Sequence, residues 1–299
     1  MERRRPSEAE VSMVRSALAR ATDVDGTAPL SEQAERAVDA AGDDVHVLAL
    51  IGERIVGYAT LSPGHGDAPT MAEGTVDPAH RGNGIGTRLV DSALGEPDTR
   101  IWAHGRLPAA NRVAEKLGLT VVRELLQMRR PLQAGAEAFQ PLPELTVPDG
   151  ISLRTYRPAD DAEILRVNNA AFSWHPEQGG WTQSEIDDRR AEDWFDPEGL
   201  FIATPDDDPD TVLGFHWTKV HPPSGDDPEL GEVYVVGIDP AAQGRGLGRL
   251  LTLAGLHYLA HRGLPTASLY VESDNPAAVH TYDKLGFANF HVDAAFARR

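Results

Sequence analysis

The chain repeats itself, and that repeat constrains its fold more than any other feature. Val76-Asp77-Pro78-Ala79-His80-Arg81-Gly82-Asn83-Gly84-Ile85-Gly86 reads against Ile238-Asp239-Pro240-Ala241-Ala242-Gln243-Gly244-Arg245-Gly246-Leu247-Gly248 at an offset of 238 − 76 = 162. A second pair follows in the same order. Pro108-Ala109-Ala110 and Lys116-Leu117-Gly118-Leu119 match Pro276-Ala277-Ala278 and Lys284-Leu285-Gly286-Phe287 at an offset of 276 − 108 = 168. Two matched blocks in one order imply a duplicated domain, and self-similarity of this kind dictates architecture before any local propensity does. The 299 residues then divide into two domains, each large enough to bury a core. Between them, Gln133 to Gly150 carries Pro141, Pro143 and Pro148, two glycines and no apolar period, which is linker composition. The expected boundaries are 1–132, a linker at 133–150, and 151–299.

Within each copy the pattern is strand, glycine loop, helix. Val233-Tyr234-Val235-Val236-Gly237-Ile238 is a β-branched run ended by Asp239-Pro240, so a buried strand is predicted. Leu247, Leu250, Leu251, Ala254 and Tyr258 share one helical face, with Gly263 placed to end that helix. Ala267 to Glu272 alternates as the next strand. Asn275-Pro276 then has the residues of a helix start, and Gly286 closes the helix. After the linker, Ile151 to Arg154 reads as a strand and Pro158 to Phe172 as a helix.

Glycines between a strand and a helix let backbone approach a ligand closely, and free N–H groups at a helix start favour an anion. A phosphate or pyrophosphate is the expected guest of Gln243 to Arg249 and of Arg81 to Gly86. Neither loop has P-loop or dinucleotide-fold spacing. Lys plus Arg number 28 against 46 Asp plus Glu, a formal net charge of -18, which excludes bulk electrostatic binding to nucleic acid or an anionic membrane. There are no cysteines, so disulfides, thiolate zinc sites and cysteine nucleophiles are excluded. Arg3-Arg4-Arg5 is followed by Pro6-Ser7-Glu8, not by an apolar stretch, so no signal peptide is expected and the cytoplasm is the expected compartment. His257 and His261 lack the Glu of a metalloprotease motif, and Asp206 to Asp210 lacks calcium-loop periodicity; neither is expected to hold a metal. No G-x-S-x-G is present.

The V-x-P-x-x-[RQ]-G-x-G-x-G type of run, followed by a strand and the Asn275-Pro276-Ala277-Ala278 helix with Tyr282 and Lys284-Leu285-Gly286-Phe287, resembles the GNAT superfamily of acetyl-CoA-dependent N-acetyltransferases. The tandem arrangement, with Gly231 to Pro240 in the second copy, is similar to the mycothiol synthase family of actinobacteria. That resemblance covers nearly the whole chain. It implies two tandem α/β domains, each a mixed, mostly antiparallel sheet flanked by helices. It also implies acetyl transfer to the cysteinyl amine of cysteinyl-glucosaminyl-inositol, the last step of mycothiol formation, with acetyl-CoA as co-substrate and no metal.

Carried over by resemblance, Val236, Gly237 and Ile238 pair with the pantetheine arm. The amides of Gln243, Gly244, Arg245, Gly246, Leu247, Gly248 and Arg249 hold the pyrophosphate. Asn275, Pro276, Ala277, Ala278, Val279 and His280 line the thiol end. The corresponding first-copy residues are Gly74, Thr75, Val76, Arg81, Gly82, Asn83, Gly84, Ile85 and Gly86. Glu232 is the implied base and Tyr282 the implied acid, which suits an amine that must lose a proton and a thiolate that needs one. Glu32, Glu177, Lys219, Glu232 and Tyr270 are the implied substrate contacts. Subtracting the offsets puts Thr70 at the Glu232 position and Ala114 at the Tyr282 position, so the first copy is expected to be non-catalytic. Two alternatives remain open on the residues: a tandem acetyltransferase for another small amine or a protein N-terminus, and an acetyl-CoA-binding sensor without turnover. A monomer is the default expectation, because a duplicated domain supplies its own pair.

Overall fold

The computed structural model describes residues 1–39, 42–64, 68–96, 98–173, 178–223 and 228–298. In chain order the elements are β1 (Glu2–Arg3), α1 (Glu8–Asp25), α2 (Glu32–Ala37), β2 (Val45–Ile51), β3 (Arg54–Ser62), β4 (Thr70–Val76), α3 (Ile85–Ala93), β5 (Thr99–Ala103), α4 (Pro108–Leu117) and β6 (Thr120–Pro131). They continue with β7 (Ile151–Thr155), α5 (Asp161–Ala171), α6 (Gln183–Arg190), β8 (Leu200–Pro205), β9 (Gly214–His221), β10 (Leu230–Ile238), α7 (Leu247–His261), β11 (Thr266–Glu272), α8 (Pro276–Lys284) and β12 (Ala288–Ala297).

The chain forms two compact units. The first comprises Met1–Leu126, Glu272–Asp274 and His291–Arg299; the second comprises Gln127–Val271 and Asn275–Phe290. The first therefore borrows its last strand from the far end of the sequence, and the segment expected to be a linker belongs to the second. Its attachment is physical. The Arg130 guanidinium, 2 % exposed, donates to Gln140 O at 2.7 Å and to Leu285 O. His257 Nε2 meets Pro143 O at 2.8 Å, and Leu145 packs on the core around Leu250 and Leu251.

In the first unit the sheet order is β1-β2-β3-β4-β5-β12. Only β4 and β5 run parallel among its registered pairs; the other pairs are antiparallel. Successive side chains on a strand face opposite ways, so the two faces build separate cores. Leu48, Ile55 and Tyr58 pack with Val14 and Leu18 of α1. Val47, Ala49 and Ala59 pack with Ile85 and Leu89 of α3. Ser7 and Glu10 form a capping box at the start of α1, and Gly26 ends that helix at φ +67.

The second unit repeats the plan with the order β6-β11-β10-β9-β8-β7, β10 and β11 being its parallel pair. Ile164 and Val167 of α5 meet Ile202, Phe215 and Trp217 on one face, while Leu247, Leu250 and Leu251 of α7 cover the other. The duplication extends to the turn after each parallel strand. Asp77 accepts the Ala79 N–H at 3.1 Å and Asp239 the Ala241 N–H at 2.8 Å. Each also takes an arginine from the first α-helix of its unit, Arg20 of α1 at 2.6 Å and Arg166 of α5. Both sheets are thus mixed and mostly antiparallel, flanked by helices, as the family resemblance implied.

The register of β12 yields a test. Ala294, Ala295 and Phe296 pair with Ala103, Trp102 and Ile101, and all three are buried. Phe296→Ala should cost the first unit about 3–5 kcal/mol, the usual penalty for truncating a buried phenylalanine. Hydrogen exchange should localise the lost protection to β4 and β5 and leave β9 and β10 near their wild-type rates.

Candidate functional site

Each unit opens its sheet at the same place. The parallel pairing of β4 with β5 runs from Thr70–Thr99 to Ala72–Ile101, and that of β10 with β11 from Gly231–Ala267 to Val233–Leu269. Beyond those three pairs the strands part. The carboxyl-terminal halves, Gly74-Thr75-Val76 and Val236-Gly237-Ile238, carry the chain into the glycine loops. Gly237 is required there, because a Cβ would lie 2.5 Å from the Phe215 ring.

The loops are built as cradles. Gly82, Gly84, Gly244 and Gly246 have φ of +82, +72, +77 and +78, the left-handed conformation that glycine adopts without strain. A Cβ on Gly82, Gly244 or Gly246 would meet nothing within 4 Å, so the space above the backbone is open. In α7 the Leu250 N–H bonds back to Gly246 O at 3.1 Å. The N–H groups ahead of it, from Gln243 to Arg249, have no backbone acceptor among the described residues. Such a row of donors at a helix start suits phosphate oxygens. Arg81, Asn83, Ile85 and Gly86 sit equivalently before and within the start of α3. There the Arg81 fork grips Asp25 through two 2.7 Å bonds while its Nε donates to Val76 O. The first unit's cradle borders a cavity of about 390 Å³, lined by Gly74, Arg81, Gly84, Trp102 and His104 among others.

Glu232 lies inside the short paired stretch of β10, opposite Ser268 on β11 and Lys219 on β9. It is 7 % exposed, and its Oε2 is 2.5 Å from His221 Nε2. His221 is two residues beyond Lys219 on β9 and so shares its face, a contact that residue type and spacing did not reveal. The Lys219 ammonium lies over the Trp194 and Tyr234 rings at 5.1 and 5.6 Å. Tyr282 is on α8, edge-on to Phe287 at 5.9 Å. Its hydroxyl has no hydrogen-bond partner among the described residues, and burial pushes its pKa up to about 12. At neutral pH it is therefore an un-ionised phenol with a proton to give.

The remaining candidates fall as follows. Asn275 caps α8 by accepting the Ala278 N–H at 3.2 Å, and Pro276, Ala277, Ala278, Val279 and His280 form the helix's first turns. Tyr270 stands on β11, 46 % exposed, its hydroxyl accepting from Gln127 at 2.7 Å. Glu32 opens α2 in the first unit, next to the cap Ser31. Glu177 lies outside the described residues.

Strand register corrects one correspondence. A β-bulge between Val233 and Val235 inserts an extra residue into β10, whereas β4 pairs with β3 without a break from Met71 to Val76. Glu232 pairs with Ser268, and the residue pairing with the equivalent Arg100 is Met71, not Thr70. The carboxylate is absent from the first unit on either count, and Ala114 in α4 offers no hydroxyl.

The first unit has its own buried carboxylate, Glu73, in a different role. Its Oε1 accepts the Ser31 hydroxyl at 2.8 Å, and its Oε2 accepts the Ser31 N–H at 2.5 Å and His104 Nε2 at 3.0 Å. His104 Nδ1 donates to Asp293 Oδ2 at 3.1 Å, and Asp293 Oδ1 takes the Gly105 N–H at 2.7 Å. Burial works against a charged imidazole, but the hydrogen bonds and charges of Asp293 and Glu73 outweigh it and raise the pKa of His104 to about 10. Burial likewise works against the Glu73 carboxylate, yet His104 and Ser31 hold its pKa below the ordinary value. The cluster is an ion triad tying β4, β5 and β12 to the start of α2.

Comparison with known proteins places the chain. The acetyltransferase (GNAT) family model matches residues 12–119 and 167–287. A mycothiol acetyltransferase of Rhodococcus erythropolis is 64 % identical over 288 residues, 95 % of each chain, and one of Mycolicibacterium smegmatis is 54 % identical over 297 residues, 97 % of this chain and 95 % of that one. The chain belongs to the mycothiol acetyltransferase family of tandem GNAT proteins. Members of the wider fold are similar in shape at low identity. A GCN5-related N-acetyltransferase from Sphaerobacter thermophilus matches with a TM-score of 0.70 at 22 % identity, covering 99 % of this chain and 94 % of that one. A tandem GNAT protein from the clavulanic acid biosynthesis pathway matches at 0.70 and 17 %, covering 98 % and 96 %. Among the described residues no cluster could hold a metal ion, and no helix is long and apolar enough to cross a membrane.

The triad gives a pH test with a definite sign. His104 binds its proton in the folded state up to about pH 10 but in the unfolded state only to about 6.5. Its stabilisation is therefore complete below pH 6.5 and lost as pH rises towards 10, at about 1.4 kcal/mol per pH unit for one proton. Urea unfolding of the wild type between pH 7 and 9 should show that extra slope, and His104→Gln should abolish it.

Proposed function

We propose that the second unit transfers the acetyl group of acetyl-CoA to the cysteinyl amine of cysteinyl-glucosaminyl-inositol, with Glu232 as base and Tyr282 as acid. The observation carrying the reading is the position of Glu232: a buried carboxylate in the paired stretch of β10, one residue before the last pair with β11, on the strand that leads into the open glycine cradle. Val236 to Ile238 offer strand backbone to the pantetheine arm, and the amides of Gln243 to Arg249 receive the pyrophosphate. Glu232 takes the proton that the amine must lose to attack the thioester carbonyl, and the neutral phenol of Tyr282 protonates the departing thiolate. Lys219, Tyr270, Glu177 and Glu32 are proposed to contact the acceptor.

The first unit, Met1–Leu126 together with the strand it borrows, is proposed to hold acetyl-CoA on Gly74 to Val76 and Arg81 to Gly86 without turning it over. Met71 and Ala114 supply neither proton acceptor nor donor, and Glu73 is already committed to Ser31 and His104.

Thiol release from acetyl-CoA, measured across a panel of amines, should be fastest with cysteinyl-glucosaminyl-inositol. Glu232→Gln should lower kcat at neutral pH by about 10²-fold, with partial recovery as pH rises and bulk base deprotonates the amine. Wild-type turnover in that variant would remove Glu232 from the reaction. Gly248, which is outside the left-handed region, offers a strain-free probe of the cradle, since its Cβ would meet only Ile238 Cγ1 at 4.0 Å. Gly248→Val should weaken coenzyme A binding by calorimetry and depress turnover with little change in melting temperature. The equivalent Gly86→Val should leave kcat nearly unchanged.

A further inference from the structure

We propose that His221 is the proton exit of this site, carrying to water the proton that Glu232 removes from the amine. The inference rests on the reading of Glu232 as base. The proton balance of the reaction demands an exit. An ammonium nitrogen sheds two protons in becoming an amide, the departing thiolate takes up one, and one is released per turnover. Glu232, at 7 % exposure, is poorly placed to hand it directly to solvent.

His221 is placed to do so. Its Nε2 lies 2.5 Å from Glu232 Oε2, and its side chain is 28 % exposed against 9 % for that of Glu232. Glu232 accepts the nitrogen's proton and passes it across this hydrogen bond, and the imidazolium so formed gives up a proton to water. Among the described residues, the two side chains paired across from Glu232 are engaged elsewhere. Lys219, opposite on β9, holds its ammonium over the Trp194 and Tyr234 rings, and the Ser268 hydroxyl on β11 donates to Gly231 O. A backbone geometry sets the contact: Glu232 pairs with Lys219, and the alternation of β9 places His221 on the same face, one diagonal step away.

The test compares His221→Ala, His221→Gln and Glu232→Gln in the full chain, with kcat and KM measured for both substrates. Both His221 variants should lose about 10-fold or more in kcat with KM little changed. Imidazole added to the buffer should restore His221→Ala in proportion to its concentration. Glutamine keeps a hydrogen-bond donor for Glu232 but cannot relay a proton, so wild-type kcat in His221→Gln would overturn the proposal in favour of a purely positional role. Failure of imidazole to rescue folded His221→Ala would also overturn it. Wild-type turnover in Glu232→Gln would instead overturn the base assignment itself, and the exit with it.

Discussion

The parting of two parallel strands after three paired residues is the constraint on which the rest of the structure depends. Strands bonded along their full length would spend on each other all the backbone donors and acceptors that face across the pair. By separating, β10 keeps the edge at Val236 to Ile238 available, and the chain then turns through left-handed glycines into a helix whose first N–H groups have no backbone acceptor among the described residues. The opening costs backbone hydrogen bonds, and the cores on both faces of the sheet offset that cost. Leu247, Leu250 and Leu251 lie under one side of the opening, and Val235 joins Phe215 and Trp217 on the other.

Both halves of the duplication inherited this opening, together with the aspartate-capped turn and its arginine. They diverged in what they placed beside it. In the second half a one-residue bulge and a glutamate bring a carboxylate against an accessible imidazole. In the first half the strand runs without a bulge, Met71 fills the equivalent register, and the nearby carboxylate is locked between a serine cap and a doubly hydrogen-bonded histidine. The same side-chain types, Glu and His, thus make a partly exposed pair in one unit and a buried structural clasp in the other. His104 is held between the carboxylates of Glu73 and Asp293, which fix its charge, whereas His221 lies against the carboxylate of Glu232 with 28 % of its side chain exposed.

Much of this was legible in the residues. The repeat registers, the strand–loop–helix order, the Asn275 cap and the glycine cradles are all local patterns, and each element formed where its pattern lay. What was not legible is non-local. The bulge at Val233 and Val235 leaves no mark on composition, so subtraction of a constant offset landed on Thr70 and missed by one residue. The pairing of β12 with β5 was hidden because alternation shows that a segment is a strand and not which strand it joins. His221 and His104 escaped notice because the carboxylates they meet, Glu232 for the one and Glu73 and Asp293 for the other, lie far from them along the chain.

The borrowed strand has a consequence for biosynthesis. Ala103 and its partner Ala294 are separated by 294 − 103 = 191 positions. A ribosome must therefore translate the whole second unit before the first can finish its sheet. Throughout that interval β5 presents a bare edge, the kind of surface that recruits stray strands from other chains. Loop-closure entropy grows only logarithmically with length, so the long wait adds little to the thermodynamic cost of the finished pairing. The exposure is one of time, and it falls on the nascent chain before any substrate is met.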